Sequence, residues 1–368
     1  MYKTFKTQLN PTKKQRQYFE KCFGTRRWTW NYLWFLNFNN KIPNYKYKGQ
    51  NAYSHELVEL AKTEEYKWLN DVNSMVRTET IKDFDNCMQR FFKDKKHHKL
   101  KPKKKNFGHE SFRIVRKNER VFKFQNNKLT IVRVRNKSRL CLRTSEDLSF
   151  IQAEKIKSCT ISKEAGKYYI YLNYETEKTN LNSKDKKDKI GLDLGIKHVA
   201  VAYDGKNNFV FDLPKSLFYA EKKTEKNHKK LSSMVYGSNR YNKQLIKLQK
   251  SYQKENNIKK DFRDKTVNFL MKNYNTVIVD DFNFENAKKL NINRHLLRVG
   301  SYLFKTKLEE KCNVIYIPKY TPTTQICSNC GCKAKEKILL NNRVYECKEC
   351  GIKIDRDLNS AINTFNYV

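Results

Sequence analysis

The hydrophobic positions near the start of the chain indicate a short strand and then change to helical spacing. Cys22 and Phe23 follow Phe19 at the three- and four-residue steps of one helix face. The same spacing recurs over residues 74–93, where a second helix is expected. Residues 9–95 therefore predict a small helical unit.

The periodicity changes to two between about residues 111 and 176. Apolar residues alternate there with basic or aromatic ones, in the segments FRIV, RVFKF, KLTIVRVR and KYYIYLNYE. The pattern predicts a β-barrel or sheet with one wet, basic face. A plain antiparallel sheet, whose lysines and arginines only keep it in solution, is the alternative. The polar segment 177–189 then predicts a linker.

The rest of the chain combines a meander pattern with an alternation of helices and strands. Three short apolar strands separated by turns come first, which predicts an antiparallel meander. A long basic helix, a buried strand, a shorter helix and another strand follow, so the region predicts an α/β unit. The strands are expected at 189–195, 198–203, 208–213, 275–284 and 313–318, and the helices at 239–272 and 305–312.

Composition adds a strong positive charge to this picture. Lysine and arginine number 77 and aspartate and glutamate 38, which leaves a formal net charge of +39. An excess of that size predicts a polyanionic partner, and nucleic acid is the first candidate. A basic ribosomal or membrane-surface protein is the alternative, but ribosomal proteins are usually shorter and lack the metal-ligand pattern described below.

Residues 93–105 concentrate this charge in the segment KDKKHHKLKPKKK. Lys101, Lys103, Lys104 and Lys105 at its end are candidate phosphate contacts. A solvated loop is the other interpretation of such a block.

The sequence lacks the signals of a membrane or secreted protein. It contains no run of about 18 apolar residues, and its start has no apolar secretory core. The expectation is an intracellular protein without a membrane span, cytoplasmic in a prokaryote and nuclear in a eukaryote or its virus. In such a compartment, cysteines are expected to bind metals or pack in cores before they form disulfides.

Acidic residues follow the buried strands of the α/β unit. Asp193 ends the first strand, Asp280 and Asp281 end a later one, and Asp355 and Asp357 open the last helix. Hydrolysis of a phosphodiester needs an activated water and a counter-charge for the phosphate oxygens, and two Mg²⁺ ions about 3.5–4 Å apart supply both. An aspartate after a strand is often only a turn residue or a helix cap. The ordered set, however, predicts an RNase H-like fold with a magnesium site, because Mg²⁺ prefers carboxylate oxygens.

A second metal site is indicated by cysteine spacing. Cys327, Cys330, Cys347 and Cys350 form two CxxC pairs separated by the 16 residues 331–346, the spacing of four-cysteine zinc sites. Four thiolates complete a tetrahedron and leave no position for water, so one structural Zn²⁺ is expected. Cys332 lies nearby but outside this set. The remaining cysteines are expected in the core, namely Cys22, Cys87, Cys141, Cys159 and Cys312.

Segments spread along nearly the whole chain resemble the TnpB family of transposon-encoded nucleases and its eukaryotic and viral Fanzor relatives. They are LNPTKKQ, ESFRI, EAGKYYI, GLDLG, VIVDDFN, KLEEKC, YTPTTQICSNCG and CGIKIDRDLNSAIN. The resemblance implies an RNA-guided DNA endonuclease with one RuvC-like site, a transposon-derived guide RNA and a double-stranded DNA target. A nuclease-dead, RNA-guided DNA-binding repressor is the main alternative, and an unguided DNA-binding transposase accessory is a third.

The resemblance also implies a multi-domain chain of the α/β plus β class. Its parts are the first strand of a wedge-like β domain (1–8), a small helical recognition domain (9–100), the wedge-like β-barrel (101–183), an RNase H-like RuvC nuclease domain (184–322), an inserted zinc ribbon (323–352) and the end of the RuvC domain (353–368).

Family roles pass to the matching residues of this chain. Asp193 matches the first RuvC acid, and Asp357 matches the last one better than Asp355 does. The family usually has a glutamate at the end of the middle strand, where this chain has Asp280. An aspartate is one methylene shorter, and Fanzor relatives often use another glutamate nearby. Glu309 is therefore preferred over Asp280 as the middle magnesium ligand.

Overall fold

The structure of the chain is a computed structural model, and it describes residues 2–38, 47–94, 100–105, 109–118, 121–125, 128–134, 138–176, 186–195, 198–280, 300–318, 321–335, 338 and 342–368. The chain divides into two compact units, Met1–Thr179 and Asn180–Val368. The finer division into six segments stays a prediction.

The first unit begins with a strand and a long helix. β1 spans Tyr2–Leu9 and α1 spans Lys13–Phe38. Thr12 and Gln15 form a capping box at the start of α1: the Gln15 amide donates to Thr12 Oγ1 at 3.3 Å, and the Thr12 amide donates to Gln15 Oε1 at 3.0 Å. Two backbone donors that no helical carbonyl can reach are satisfied in this way.

Two more helices complete the helical part of this unit. α2 spans Gly49–Leu60 and α3 spans Met75–Lys93, and a short 3₁₀ turn lies between them. The helix expected over residues 74–93 is therefore confirmed, whereas α2 was not predicted. The Trp30 and Phe84 rings meet edge to face with centroids 5.2 Å apart, inside a core that all three helices share.

The β-rich part of the first unit forms two antiparallel sheets, with strand orders β1-β7-β6-β2 and β3-β4-β5. The new strands are β2 (Glu110–Val115), β3 (Phe122–Gln125), β4 (Lys128–Val134), β5 (Ser138–Cys141), β6 (Ile156–Glu164) and β7 (Lys167–Glu175). Ala165 and Gly166 join β6 to β7 with φ of 50° and 81°, as a tight two-residue hairpin requires. Within the described ranges the strands form these two sheets, and the role of their basic residues stays a prediction.

One core joins the helical and β-rich parts. Phe19 and Phe23 of α1 pack against Phe112 of β2, with ring centroids 5.9 and 5.5 Å apart. All three rings are almost fully buried. The amphipathic face of α1 therefore stabilises the sheet directly, and the two parts form one compact unit.

The second unit is built on a five-stranded sheet of order β10-β9-β8-β11-β12. Its strands are β8 (Lys187–Asp193), β9 (Ala200–Tyr203), β10 (Asn208–Phe211), β11 (Tyr274–Asp280) and β12 (Asn313–Ile317). β8, β9 and β10 form the predicted antiparallel meander, and β11 lies parallel to both β8 and β12. The predicted change from meander to α/β pattern is confirmed.

In the described residues of this unit, four helices and a small hairpin accompany the sheet. They are α4 (Lys215–Ser232), α5 (Asn239–Asn273), α6 (Ser301–Lys311), α7 (Arg356–Phe365), β13 (Val344–Glu346) and β14 (Lys353–Asp355). The helices expected over residues 239–272 and 305–312 correspond to α5 and α6, whereas α4 was not predicted. None of the helices in the described part of the chain combines the length and the apolar character that a membrane crossing needs.

The cysteines outside the CxxC pairs differ in burial. Cys22 and Cys159 are buried, and Cys87 and Cys312 are half-buried. Cys141 is exposed, so its predicted core position is wrong. It follows the buried Leu140 on β5, and successive side chains of a strand point to opposite faces.

Candidate carboxylate centre and cysteine cluster

Asp193 and Asp357 come together because α7 packs directly on β8. A Cβ atom built at Gly191 would lie 2.4 Å from the backbone nitrogen of Phe365, so only glycine permits this close approach. A Cβ at Gly195 would lie 3.7 Å from Asp357 Oδ2, which places that carboxylate beside the loop after β8. Asp193 is 9% exposed and Asp357 8%. Two buried acids 164 residues apart in sequence thus share one site.

Asp280 joins them from the end of β11, which pairs with β8. Its Oδ2 accepts a hydrogen bond from Thr323 Oγ1 at 2.9 Å. Ser360 Oγ lies 3.1 Å from Thr323 Oγ1 and 3.2 Å from Asp193 Oδ1. A line of two hydroxyls therefore connects the carboxylates of Asp280 and Asp193. Asp281 lies outside the described residues.

The negative charges of Asp280 and Asp357 both act on Asp193, in line with the grouping of the three aspartates. Burial and the negative charges of Asp357 and Asp280 raise the pKa of Asp193 to about 8. A hydrogen bond from Ser360 and the charge of Arg356 act in the opposite direction. Like charges crowded in a buried site are typical of functional centres that bind a cation or hold a proton.

Two of the predicted alternatives take other positions. Asp355 is the N-cap of α7, and its Oδ1 accepts from the amides of Asp357 at 2.9 Å and Leu358 at 3.2 Å. Glu309 is exposed on α6, where its Oε1 accepts from Tyr316 Oη at 2.8 Å.

Which of Glu309 and Asp280 binds metal stays a prediction, and the structure shows where each side chain lies. Tyr316 draws the Glu309 carboxylate to the edge strand β12, while Asp280 stands at the end of the neighbouring strand and its charge acts on Asp193. The structure groups Asp280 with Asp193 and Asp357. Sequence reasoning weighed the length of the aspartate side chain, but the pairing of β11 with β8 already brings Asp280 close.

Several neighbours of the carboxylates were not predicted. Arg343 Nη1 lies 3.8 Å from Asp357 Oδ2, and its carbonyl accepts from the Arg356 amide at 2.9 Å. Thr323 and Ser360 are both buried. The hydroxyl of Ser360 was within reach of sequence reasoning, because it follows Asp357 by three residues on a helix. Arg343 carries no such signal, since it precedes a short strand of the cysteine-containing segment.

The four predicted cysteines form one cluster. The Sγ atoms of Cys327, Cys330, Cys347 and Cys350 all lie within 4.8 Å of one another. The two CxxC pairs lie on two turns of the same kind. In the first, the Gly331 amide donates to the Cys327 carbonyl, and in the second, the Gly351 amide donates to the Cys347 carbonyl, both at 2.9 Å. The two glycines have φ of 74° and 71°, the left-handed region that favours glycine.

The chemistry of this cluster suits a soft divalent metal. A backbone hydrogen bond from Ile352 holds the pKa of Cys350 down at about 6, which favours the thiolate that binds metals. Cys332 lies outside the cluster and is exposed, and its carbonyl accepts from the Cys327 amide at 2.9 Å. A four-cysteine zinc site therefore fits these residues.

Helix α7 holds the segment that leads into the cysteine cluster. Asn359 Nδ2 donates to the Ile326 carbonyl at 2.8 Å, and its Oδ1 accepts from the Ser328 amide at 2.9 Å. Asn363 Nδ2 donates to the carbonyls of Thr323 at 2.8 Å and Ile326 at 2.7 Å. The helix that carries Asp357 is thus anchored to the first knuckle, the turn Cys327–Cys330.

The four candidate lysines differ from one another. Lys101, Lys104 and Lys105 are exposed, as phosphate contacts require. Lys103 is half-buried, with its Nζ 4.1 Å from the centroid of the Trp30 ring, and burial lowers its pKa to about 8. The Asn31 side chain donates to its carbonyl and accepts from its amide. This segment is therefore fixed along α1.

Three family models match this chain. The model described as "Probable transposase" covers residues 171–291, "Cas12f1-like, TNB domain" covers 302–364, and "Helix-turn-helix domain" covers 1–41. The first two together contain Asp193, Asp280, Asp357 and the cysteine cluster. In this structure the third segment contains β1 and α1.

Similar proteins extend over most of the chain. "Putative RNA-guided DNA endonuclease InsQ" of Escherichia coli K12 is 26% identical, over 98% of this chain and 90% of that protein. A Streptomyces pristinaespiralis protein described in the same words, without the name InsQ, is 24% identical over 98% of this chain and 88% of its own length. "TnpB-like protein L770" of Acanthamoeba polyphaga mimivirus is 25% identical over 58% of this chain and 43% of its own.

A solved structure shares the fold. The Cas12f1-sgRNA-target DNA complex aligns with a TM-score of 0.56 at 14% identity, covering 96% of this chain and 82% of that one. The fold of that protein is therefore similar to the fold of this chain over nearly its full length.

Proposed function

The chain belongs to a TnpB-like family, and we propose that it is a transposon-associated, RNA-guided DNA endonuclease that hydrolyses phosphodiester bonds at its carboxylate centre. The observation that carries this proposal is the grouping of Asp193, Asp280 and Asp357 from three separate segments around a buried point of the sheet. The meander followed by two parallel strands, with α7 packed on β8, is the plan expected of an RNase H-like RuvC domain.

The donor set fits two magnesium ions. Carboxylate oxygens are the ligands that Mg²⁺ prefers, and divalent cations would relieve the repulsion that raises the pKa of Asp193. When bound, the two ions supply an activated water and a counter-charge for the phosphate oxygens. Asp193, Asp280 and Asp357 would hold them, with Asp280 as the middle ligand in this chain.

The chain's own residues then perform three tasks at this centre. The rigid sheet fixes where the aspartates stand, because each lies at or beside the end of a buried strand or helix. Arg343 provides a positive charge beside Asp357 that a phosphate could also use. Asp355 caps α7 and so orients the helix that presents Asp357.

The cysteine cluster would hold one structural Zn²⁺. All four ligand positions are thiolates, so a tetrahedral ion is closed to water and contributes folding energy instead of catalysis. Its place next to α7 makes the zinc ribbon a support for Asp357.

The proposed partners are a transposon-derived guide RNA and double-stranded target DNA. The net charge of +39 supports binding to polyanions. The E. coli and Streptomyces relatives are named as putative RNA-guided DNA endonucleases, which supports RNA guidance. Similar proteins occur in bacteria and in mimivirus, so the proposed compartment follows the host: the cytoplasm for a prokaryote, and the nucleus for a eukaryote or its virus.

Co-purified RNA tests this function. We expect one defined RNA species to purify with the protein, and the loaded protein to cut a DNA that matches the RNA when Mg²⁺ is present. Asp193→Asn and Asp357→Asn should lose cleavage by about 10³-fold or more, since metal ions supply several kcal/mol of transition-state stabilisation and about 1.4 kcal/mol is tenfold in rate. Both variants should keep guide and target binding.

Two other results would replace this function. A parent protein that binds guide and matched target but never cuts would be an RNA-guided repressor. A protein that purifies without a defined RNA and binds DNA regardless of sequence would be a transposase accessory.

A further inference from the structure

The hydroxyls of Thr323 and Ser360 occupy the space between two proposed metal ligands. Thr323 Oγ1 donates to Asp280 Oδ2 at 2.9 Å, and Ser360 Oγ lies 3.2 Å from Asp193 Oδ1. The two hydroxyl oxygens are 3.1 Å apart. Thr323 is 3% exposed and Ser360 fully buried, so water does not compete for these contacts.

Counting protons shows how the pair serves both carboxylates. Each hydroxyl has one hydrogen to donate. Thr323 gives its hydrogen to Asp280, which leaves an oxygen lone pair facing Ser360. When Asp193 is ionised, Ser360 gives its hydrogen to that carboxylate, because a charged acceptor makes the stronger hydrogen bond. Each acid then receives one hydroxyl donor, and the two hydroxyl oxygens stay in direct contact at 3.1 Å with no hydrogen between them.

The two hydroxyls come from different segments of the chain, and α7 contacts both of them. Ser360 lies on α7, one turn beyond Asp357. Thr323 lies four residues before Cys327, and its backbone carbonyl accepts a hydrogen bond from Asn363 Nδ2 at 2.8 Å. The cysteine cluster and α7 therefore fix the position of Thr323 from both sides.

We propose that Thr323 and Ser360 are positioning residues that set the distance and orientation between Asp280 and Asp193 for metal binding. The inference rests on the proposed function, since it assigns these two aspartates as ligands. It adds that the segment before the first knuckle reaches the carboxylate centre through a hydroxyl contact. Neither residue binds the metal, so each acts through the carboxylate that it contacts.

Direct measurement of metal binding tests the proposal. Mn²⁺ would be titrated into the purified full-length protein without nucleic acid, and bound Mn²⁺ followed by electron paramagnetic resonance. Thr323→Val keeps the shape but removes the hydroxyl, and should weaken Mn²⁺ binding by roughly 10- to 100-fold, the usual effect of removing a residue that orients a metal ligand. Thr323→Ser restores the hydroxyl and should bind nearly as the parent does.

Three further variants complete the experiment. Ser360→Ala should weaken Mn²⁺ binding as Thr323→Val does, and the double variant should lose less than the product of the two effects, because the hydroxyls act as one unit. Thr324→Val removes the neighbouring hydroxyl and should match the parent. Zinc content and thermal midpoint of each variant report whether it has folded.

Different results would overturn the positioning role of Thr323 and Ser360 and the metal centre itself. Folded Thr323→Val and Ser360→Ala proteins that bind Mn²⁺ as tightly as the parent would overturn the positioning role. If the double variant weakens Mn²⁺ binding by the product of the two single effects, the two hydroxyls act independently, and the coupling between them is wrong. Should Thr323→Val fail to fold, the comparison of Thr323→Ser, Ser360→Ala and parent decides instead. Equal Mn²⁺ binding by the parent and Asp193→Asn would contradict the metal centre itself, and the proposed function with it.

Discussion

The cysteine cluster and the carboxylate centre lie in the same unit but are assembled in opposite ways. The four cysteines come from two short turns within 24 residues, Cys327 to Cys350, and each turn repeats the same backbone hydrogen bond. The three aspartates span residues 193–357 and need β8, β11 and α7 to meet. One site is local in sequence, and the other depends on the completed fold.

The difference has an electrostatic side as well. A Zn²⁺ ion held by the four cysteines would contribute folding energy, because the thiolates close a tetrahedral site. The aspartates bring negative charge into a buried space, which raises the pKa of Asp193. We therefore expect the zinc site to stabilise the fold and the carboxylate centre to strain it until cations bind.

Removing a zinc ligand should have the largest effect on the structure. Cys327→Ser and Cys350→Ser should lower the zinc content from one ion per chain to none and unfold the ribbon, because zinc binding there supplies about 10–16 kcal/mol of folding energy. Metal analysis of the purified proteins measures this. Cys332→Ser is the matched control and should keep its zinc. A full complement of zinc in Cys327→Ser would exclude the four-cysteine assignment.

The middle acid should show the next largest effect, and it is where sequence and structure differ. Asp280→Asn should reduce guided cleavage by about 10²-fold or more, since it removes a charged ligand of a metal that contributes several kcal/mol. Glu309→Gln should cut within about twofold of the parent, because its carboxylate contacts Tyr316. Cleavage rates with saturating guide and target decide between them. The reverse ranking would restore Glu309 as the ligand.

The strain at the carboxylate centre predicts a pH effect without divalent cations. The pKa of Asp193 is raised from 3.8 to about 8, so between these values the native state keeps a proton that the unfolded state releases. Stability from this group is fully present below pH 3.8 and is lost as pH rises through 8.

Thermal unfolding measures this effect. The midpoint of the parent should fall relative to that of Asp193→Asn as pH rises, by on the order of a few degrees. Added Mg²⁺ should reverse the difference. Parallel pH curves for the two proteins would show that the pKa of Asp193 is not raised in the folded protein.

The smallest effect is expected at the exposed lysines. Replacing Lys101, Lys104 and Lys105 by alanine should weaken RNA binding and flatten its salt dependence, by about 0.7 in log–log slope for each lost contact with a single strand. Lys103→Met should leave the slope unchanged, because that side chain packs on Trp30. Filter binding across a salt series measures both. Equal flattening by Lys103→Met would mean that Lys103 contacts phosphate as well.

Sequence reasoning succeeded where the determining contacts are local. The CxxC spacing predicts the cysteine cluster, and the alternation of apolar residues predicts β2, β3, β4, β7 and the meander. It failed for α2 and α4, which bury only two and three residues respectively, although these lie on one helix face. A weak apolar face needs its packing partner before it can be recognised.

The carboxylate centre was predicted in part for the same reason. Asp193 and Asp357 are marked by a buried strand and a helix start, but the choice between Asp280 and Glu309 depends on which strands are neighbours. The parallel pairing of β11 with β8 settles the grouping, and no local pattern encodes it. Thr323 was missed because it contacts Ser360, 37 positions away, and Asp280, 43 positions away.

We predict above all that Asp193, Asp280 and Asp357 together bind divalent metal. Anomalous X-ray scattering from crystals of the protein soaked in Mn²⁺ tests it most directly, with data collected at the manganese and zinc absorption edges. We predict manganese peaks between the three aspartates and one zinc peak among the four cysteines. Manganese bound at Glu309, or an aspartate group without any manganese peak, would contradict the account.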